Sequence, residues 1–484
     1  IFLLHIWATG VAQIYLDSIY DFGVNEIRKD LSNLGALKEL TSNSYRTVFP
    51  SGSTQNLSYE LVVTDFTLHG NLSNTIRIGD TTEVFWSTHW TELENDTVVL
   101  LSRYDRPYDT LLQGYQYGLM AFDLYTGEIH WQKEYGEADR SDVPFGLTPT
   151  SDGGFVMTGA SYSYAIEDND ILTIKVDHFG NVLWESYVGG TENDVAYSIY
   201  ELDDGGFLIA GRTKSYGNGN YDVYIVKLDS SGNELWYETY GGTQYDGAFD
   251  VIKTSNDMFL LSGIKNNDMG FYLIDQDGSL EWSYEYGEPN RSPELYGAFE
   301  LYDGSFIGYG LANNPDDGSN EGCAIKINSE GQEIWERYYN PSNGVDYLTN
   351  GTATDDGGFL FIGQARNVSN GTSDAWILKV DSMGCEYANC ITGIAEQEQM
   401  VMIDVWPNPT ADILNLQLSS AIRQMELTIT DMQGRQFPLL KGVSRFFSGR
   451  GIHSIDVSNW SSGIYIMNGQ DAEGRSFTLK FVKE

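Results

Sequence analysis

One pattern recurs along this chain at intervals of 47 to 53 residues, and it constrains the fold more than any other feature. In its full form it reads Asp-Gly-Gly-Phe, an apolar segment, a second apolar segment that ends in Asp, and then Gly and Trp. The clearest copy begins at Asp204 and ends at Trp236. Tandem units of this length with several short strands are typical of propeller blades or related strand arrays. The anchoring phenylalanines are Phe155, Phe207, Phe259, Phe306 and Phe359.

Four short strands are predicted in each unit. The second and third are continuously apolar, as expected for strands buried on both faces by neighbouring sheets. Six copies are clear and a weaker one precedes them, which predicts an all-β fold, a seven-bladed β-propeller, with six blades as the alternative. The last copy lacks its fourth strand, so we expect residues 14–22 or 45–49 to supply it and close the ring.

The links between strands differ in a regular way. Those between the first and second strands, and between the third and fourth, are short glycine turns, whereas those between the second and third vary from copy to copy. In a propeller, the links between second and third strands lie at one rim. Sequence variation confined to that rim indicates either a binding face or drift in loops without structural constraint. Aromatic residues in these loops could stack on sugar rings. They are Tyr162, Tyr164, Tyr216 and Tyr221.

An aspartate also repeats just before the first strand, nearest the expected central channel. Its copies are Asp142, Asp194, Asp246 and Asp346. Carboxylates repeated around a channel mouth could bind Ca²⁺ or a cationic ligand. The alternative is structural, because Asp at a turn commonly caps neighbouring backbone amides. No other cofactor is indicated.

The net charge of −41 is concentrated in residues 1–393, which hold 59 acidic and 20 basic side chains. A surface of this sign repels nucleic acid, which excludes that class of partner. No nucleophile elbow, phosphate loop or dinucleotide fingerprint occurs, so no catalytic residue is predicted. Carboxylate pairs for glycan cleavage cannot be singled out among so many acids.

The first twelve residues, 1–12, are apolar and end in small residues, as in part of a secretory signal segment. Residues 13–57 are expected to form an N-terminal extension that holds the ring-closing strand. No other segment is long and apolar enough to span a membrane. In an exported chain, Cys385 and Cys390 are expected to form a small local disulfide, whereas Cys323 lies on a predicted buried strand.

From residue 402 onward the sequence pattern changes to strands of alternating polarity separated by turns. This pattern predicts a small immunoglobulin-like β-sandwich. Residues 401–484 resemble the C-terminal sorting domain of type IX secretion cargo. The motif residues behind this resemblance are Pro407, Asn408, Pro409, Gly434, Arg435, Gly463, Tyr465, Lys480 and Lys483. The resemblance implies passage through the periplasm and across the outer membrane by the type IX secretion machinery.

The repeats of residues 58–390 likewise resemble the Asp-Gly-Gly-Tyr/Phe propeller repeats of exported Bacteroidota proteins. Residues 391–400 are then the linker between the two domains. Together these features predict a secreted or cell-surface protein that binds a glycan or a surface protein. A glycan hydrolase or lyase on a propeller scaffold and a structural surface spacer are the alternatives.

Overall fold

The computed structural model describes the following residues: 16–20, 37–41, 44–53, 58–67, 72–78, 84–93, 96–105, 115–136, 141–162, 169–288, 291–342, 344–366, 373–386, 403–406, 410–418, 425–431, 435–437, 446–447, 451–471 and 476–483. They belong to two compact units, the first up to residue 386 and the second from residue 403. The expected signal segment, 1–12, and linker, 391–400, lie outside the described residues.

The first unit is a succession of four-stranded antiparallel sheets, the arrangement of β-propeller blades, which confirms the all-β prediction. Consecutive strands form the sheets β2–β5, β6–β9, β10–β13, β14–β17 and β18–β21. Strands β22–β25 form a further group, and β26–β28 take β1 as their fourth strand; one parallel pairing, Asn320 with Val345, joins these last two groups into an eight-stranded sheet. The bounds are β1 (Leu16–Tyr20), β2 (Leu37–Thr41), β3 (Ser44–Ser53), β4 (Ser58–Thr67), β5 (Leu72–Ile78), β6 (Val84–Glu92), β7 (Thr97–Asp105), β8 (Gln116–Asp123), β9 (Ile129–Tyr135), β10 (Asp142–Pro149), β11 (Phe155–Ser161), β12 (Asp170–Val176), β13 (Val182–Val188), β14 (Asp194–Glu201), β15 (Phe207–Thr213), β16 (Asp222–Leu228), β17 (Glu234–Tyr240), β18 (Gly247–Lys253), β19 (Phe259–Lys265), β20 (Asp268–Ile274), β21 (Leu280–Tyr286), β22 (Glu294–Glu300), β23 (Phe306–Asn313), β24 (Asn320–Ile327), β25 (Glu333–Tyr339), β26 (Val345–Ala353), β27 (Phe359–Arg366) and β28 (Ser373–Val380).

The Asp-Gly-Gly turn of the repeat is held by an ion pair. Asp152 accepts a hydrogen bond from the Gly154 amide at 3.0 Å, and its carboxylate lies 2.9 Å from the Lys175 ammonium on β12. A Cβ on Gly154 would lie 2.2 Å from the carbonyl oxygen of Val176 and 2.8 Å from Lys175 Nζ. In this copy the second glycine fits where a side chain would not, because the neighbouring strand and its lysine occupy the space.

The Gly and Trp of the motif join one sheet to the next. Gly232 has a φ of 82°, and a Cβ there would lie 2.6 Å from the Trp184 ring of the preceding repeat. The Trp184 indole also donates a hydrogen bond to the carbonyl of Ser230 at 3.1 Å. Each repeat thus needs a glycine where the preceding tryptophan packs.

The first and last sheets of the unit also pack on each other. Tyr45 and Phe66, on β3 and β4, share one buried cluster with Leu360, Ile362 and Ile377 on β27 and β28. β1 pairs antiparallel with β28, over the register from Leu16–Lys379 to Tyr20–Ala375. The terminal strand lies along the edge that the last repeat would otherwise leave open.

Part of the expected N-terminal extension contributes strands to the first sheet. Strands β2 and β3 fall within residues 37–53 and join β4 and β5, so this sheet crosses the boundary expected at residue 57. The hairpin register explains why, since Ser44 to Ser53 pair with Thr67 to Ser58 without interruption.

The second unit contains two antiparallel sheets, β29-β30-β34 and β32-β31-β35-β36 with β33 beside β31. The bounds are β29 (Ile403–Trp406), β30 (Ile413–Leu418), β31 (Met425–Asp431), β32 (Gln436–Phe437), β33 (Phe446–Phe447), β34 (Gly451–Asp456), β35 (Gly463–Asp471) and β36 (Ser476–Lys483).

Candidate binding face

The ends of the sheets in the first unit form two rims. The turn rim carries the short glycine turns, and the loop rim carries the links between second and third strands together with the starts of the first strands. Link length at the loop rim varies widely. Residues 214–221 separate β15 from β16, whereas only Asn266 and Asn267 separate β19 from β20.

The repeated aspartates lie at the loop rim but are not accessible there. Asp142, Asp194, Asp246 and Asp346 each have a relative accessible surface of 0%. Each lies at or next to the start of the first strand of its sheet. Solvent therefore does not reach these side chains in the structure.

Hydrogen bonds from the protein surround each of these carboxylates. Asp194 accepts one from the Gly190 amide at 2.7 Å, one from the Ser215 hydroxyl at 2.7 Å, and another from the Thr213 hydroxyl. Asp246 accepts hydrogen bonds from the Asn266 amide at 3.0 Å and the Tyr272 hydroxyl at 2.9 Å.

This pattern ties the first strand to the end of the second strand and to the link from the preceding sheet. It favours the capping role over the ligand role for the repeated aspartates. Among the described residues, no three His, Cys, Asp or Glu side chains are grouped so that they could hold a metal ion.

The loop tyrosines fall into different environments. Tyr162 is 44% exposed, whereas Tyr164 lies outside the described residues. Tyr216 is half-buried, stacks on Tyr237 at 4.7 Å between ring centroids, and donates a hydrogen bond to the Gly189 carbonyl at 2.9 Å. Tyr216 therefore supports the loop rather than offering a free ring, and Tyr221 takes part in a different cluster.

Two cations surround Tyr221. The guanidinium carbon of Arg212 lies 4.5 Å from the Tyr221 ring centroid, and the Lys214 ammonium lies 4.7 Å from it. Arg212 also lies 5.4 Å from the Tyr197 ring and 5.3 Å from the Tyr245 ring, which belongs to the next repeat. We call these five residues the Arg212 cluster.

Further aromatic residues extend from this cluster along the first strands of the neighbouring sheets. Phe145, Tyr197, Phe249 and Tyr296 occupy the bulges of β10, β14, β18 and β22, and Tyr347 comes just before the bulge of β26. Consecutive rings lie 4.8 to 6.3 Å apart between centroids. These five side chains form a row of aromatic contacts along the first strands of five repeats, which we call the collar.

Several titratable groups have displaced pKa values. Burial raises the pKa of Glu336 to about 7, with Glu333 and Glu288 adding to the shift, and its Oε1 has no hydrogen-bond partner. Burial lowers the pKa of His89 to about 4. Burial also raises the pKa of Asp250, which accepts a hydrogen bond from the Ser198 hydroxyl at 3.0 Å.

Sequence reasoning missed the Arg212 cluster and the collar. A signal for the collar was present, since an aromatic residue follows Asp142, Asp194 and Asp246 at the third position. No comparable signal marks Arg212, because its repeat counterparts Ala160 and Ile264 are apolar.

The residues of the sorting motif are placed only in part. Pro407, Asn408, Pro409 and Gly434 lie outside the described residues. Arg435 is exposed, Gly463 begins β35, and Lys480 and Lys483 lie on β36, the latter buried. Tyr465 is buried against Phe437 and Trp460, with ring centroids 5.0 and 5.1 Å away.

The cysteines are also placed in part. Cys323 is buried and free, as expected for a core residue. Cys385 is buried, but Cys390 lies outside the described residues, so their disulfide stays a prediction. The part of the chain that the structure describes contains no helix that could cross a membrane.

Comparison with known families identifies the C-terminal segment. Residues 404–484 match the secretion system C-terminal sorting domain, so the chain carries a type IX sorting domain, as the motif residues predicted. A stretch of 115 residues is 26% identical to the regulatory protein FlaEY of Caulobacter vibrioides. The match covers 21% of this chain and only 12% of that relative.

Solved structures with similar folds include propeller proteins of very different sequence. The β-propeller domain of the Trilobed protease from Pyrococcus furiosus matches with a TM-score of 0.40 and 11% identity, over 75% of this chain and 99% of that chain. The acylaminoacyl peptidase of Pyrococcus horikoshii matches with a TM-score of 0.39 and 11% identity, over 80% of this chain. The chain spans 58% of that peptidase. Similarity at this level does not transfer a function.

Proposed function

We propose that this chain, which carries a secretion sorting domain, is an exported propeller protein that binds a glycan or a surface protein through its loop rim. The sorting domain at residues 404–484 is the observation that carries the export step. The chain would cross the periplasm and reach the outer cell surface or the medium through the type IX secretion machinery. The apolar residues 1–12 would serve the first of these steps as part of a signal segment.

Export can be tested by expressing the tagged full chain and a chain ending at residue 400 in a bacterium that has type IX secretion. We expect the full chain outside the cell and the shortened chain in the periplasm. Appearance of the shortened chain outside the cell would contradict the proposed role of the sorting domain. A periplasmic marker enzyme controls for leakage.

The scaffold for binding is a seven-bladed ring, with six blades the alternative. The packing of Tyr45 and Phe66 on Leu360 and Ile377, together with the β1–β28 pairing, supports closure of the first sheet on the last. For the second unit we propose an immunoglobulin-like sandwich built from its two antiparallel sheets.

Two features of the loop rim support binding there: its links vary in length, and it carries the Arg212 cluster. The turn rim repeats nearly the same glycine turn in every copy, while the loop rim carries links of different length and the Arg212 cluster. A rigid scaffold with variable loops at one end is a common design for recognition.

A loop exchange tests this function. Residues 214–220 are replaced by the two-residue Asn-Asn link found after β19, and the full chain is screened against arrays of glycans and matrix proteins. We expect saturable hits of the native chain to be lost in the exchange variant. The matched control replaces the turn residues 230–233 with the corresponding turn of residues 178–181, on the other rim. Hits that survive the loop exchange would show that binding lies elsewhere.

A glycan hydrolase or lyase is the second candidate. The observation that favours it is Glu336, because a carboxyl group with a pKa of about 7 can act as a general acid near neutral pH. The native chain and Glu336→Gln are assayed for release of reducing ends from polysaccharides. Turnover that is lost in the variant would favour the enzyme, whereas no turnover in either favours the binding protein or a structural spacer.

A further inference from the structure

Arg212 is a cation that has no carboxylate partner among the described residues. Several other basic side chains of the first unit do meet carboxylates, for example Lys175 with Asp152 and Lys379 with Asp356, at 2.9 and 3.0 Å. Among the described residues, no carboxylate lies within ion-pair distance of Arg212. Residues 1–393 hold 59 acidic side chains, so this isolation is not explained by a shortage of acids.

Among the described residues, the Arg212 guanidinium also has no hydrogen-bond acceptor. Its Nε is buried and unpartnered in this part of the chain. A buried donor without an acceptor is destabilising, and an incoming acceptor would relieve that cost. Lys214, which shares the Tyr221 ring, has no carboxylate partner among these residues either. Both cations therefore contact the Tyr221 ring without a carboxylate partner among the described residues.

Tyrosine rings hold this pair in place. Tyr197, Tyr221 and Tyr245 lie 4.5 to 5.4 Å from the guanidinium carbon, and the Tyr221 and Tyr245 rings meet edge to face at 5.3 Å. Cation–π contact stabilises the charge but leaves the N–H groups, which lie in the guanidinium plane, available to oxygen acceptors. The aliphatic part of the Arg212 side chain packs over Gly247, where an added Cβ would lie 3.4 Å from Arg212 Cβ.

The tyrosines also offer polar atoms to a ligand. The hydroxyl groups of Tyr221 and Tyr245 have no hydrogen-bond partner within the described residues. Both side chains are half-buried, so part of each ring remains accessible at the loop rim. An exposed aromatic surface next to free hydroxyl donors suits a sugar ring, which has apolar faces and polar edges.

We propose that the Arg212 cluster is a binding site for an acidic saccharide, whose carboxylate or sulfate group binds Arg212 and Lys214 and whose sugar ring stacks on Tyr221 or Tyr245. The proposal rests on the binding function at the loop rim and gives it a ligand class. A planar guanidinium binds carboxylate with two parallel hydrogen bonds, which adds specificity to the charge. The two cations are a local exception in a chain of net charge −41, whose summed field otherwise repels anions.

Calorimetric titration of the purified full chain tests the proposal. The probes are tri-galacturonate, its methyl ester, a sulfated trisaccharide of the same backbone and hexaglutamate. The methyl ester keeps the sugar rings and removes the charge, and the sulfated probe distinguishes the two acid groups. We expect saturable binding of tri-galacturonate or the sulfated probe and at least tenfold weaker binding of the ester.

Two variants and a matched control complete the test. Arg212→Gln should weaken binding of the acidic saccharide by about tenfold to a hundredfold, as expected for loss of a charge-assisted hydrogen bond. Arg212→Lys keeps the charge but not the planar pair of donors, so its loss of binding should be smaller than that of Arg212→Gln. Lys253→Gln removes one positive charge at the turn rim and should leave binding unchanged. Near-ultraviolet circular dichroism checks that each variant is folded.

Several results would overturn the proposal. Equal binding of the acid and its methyl ester would show that charge is not recognised. Unchanged binding by Arg212→Gln would place the saccharide elsewhere, and the loop exchange would then show whether the loop rim binds at all. Arg212-dependent binding of hexaglutamate alone would identify an acidic protein segment as the partner. Absence of binding to every probe would remove the acidic-saccharide site.

Discussion

At the scale of single residues, charged side chains serve opposite purposes in this chain. The repeated aspartates accept hydrogen bonds from backbone amides and hydroxyl groups until little capacity is left for a ligand. Arg212, by contrast, carries a charge and a buried donor that the surrounding protein does not satisfy. Whether a charged side chain supports the fold or is available for binding thus depends on its hydrogen-bond partners rather than on its type.

The capping role of Asp194 predicts a loss of stability when its charge is removed. Asp194→Asn should lower the free energy of unfolding by about 1.5–3 kcal/mol, because the amide donates where the carboxylate accepted. Asp229→Asn, at an exposed turn, should cost clearly less and serves as the control. Urea unfolding measures both. If Ca²⁺ stabilises the native chain but not Asp194→Asn, the aspartate is a calcium ligand instead.

Glu336 predicts a pH dependence of stability. Its pKa is raised from 4.5 to about 7 in the folded chain, so between these values the folded state holds a proton that the unfolded state releases. Stability should therefore fall as pH rises from 4.5 to 7. Glu336→Gln should be more stable than the native chain at pH 8 by about 1–2 kcal/mol, after screening by solvent, and nearly equal to it at pH 4. Urea unfolding at the two pH values measures this, and an equal difference at both would contradict the titration of Glu336.

At the scale of elements, the turns of the repeat do more than reverse the chain. The Asp-Gly-Gly turn brings Asp152 to Lys175, and the glycine of the next turn makes room for the tryptophan of the preceding sheet. The Tyr339 hydroxyl likewise donates to the Gly384 carbonyl of the following sheet at 2.9 Å. Where the full motif occurs, its residues therefore make contacts within and between the sheets as well as turns.

The two glycines of one turn should respond differently to the same substitution. Gly153 has a φ of 84° and open space around a new Cβ, so Gly153→Ala should cost about 1 kcal/mol from the backbone conformation alone. Gly154→Ala places the Cβ 2.2 Å from the Val176 carbonyl oxygen and should cost about 3 kcal/mol. Thermal unfolding of both variants compares them. A smaller cost for Gly154→Ala would mean that β12 moves aside more easily than its buried packing indicates.

At the scale of the whole molecule, residues far apart in the chain complete one another. β1 pairs with β28, more than 350 residues later, and Tyr45 and Phe66 pack on Leu360. Arg46 lies within 2.6 Å of Asp65 and 2.8 Å of Glu92, which links the first sheet to the second through buried charges. Such long-range contacts join sheets that are distant in sequence, so we expect the stability of the first and last repeats to be coupled.

Removal of the first strand should therefore weaken the far end of the chain. In a chain starting at residue 21, the amides of β28 that pair with β1 should exchange with solvent about tenfold faster or more, since their acceptors are gone. Amides of β16, in a different sheet, should keep their protection and provide the control. Hydrogen exchange followed by mass spectrometry measures both. Unchanged protection of β28 would mean that β1 does not hold this edge.

The sequence alone determined the repeat unit, the all-β class and the sorting domain, because each depends on local patterns. Apolar runs such as Phe207 to Gly211 and glycine turns such as Gly205–Gly206 act over a few residues, and the sorting motif is read in the same way. The repeat also singled out the aspartates as candidates, either for ligand binding or for capping of backbone amides.

Only the tertiary structure decided which side chains are satisfied and which are not. Asp194 and Arg212 are both charged residues at strand ends in the sequence, yet one is surrounded by donors and the other by rings from two repeats. The pairing of β1 with β28 was likewise one of two candidates until the register was seen. Hydrogen-bond satisfaction and ring closure depend on residues brought together across long stretches of chain, and no local pattern encodes them.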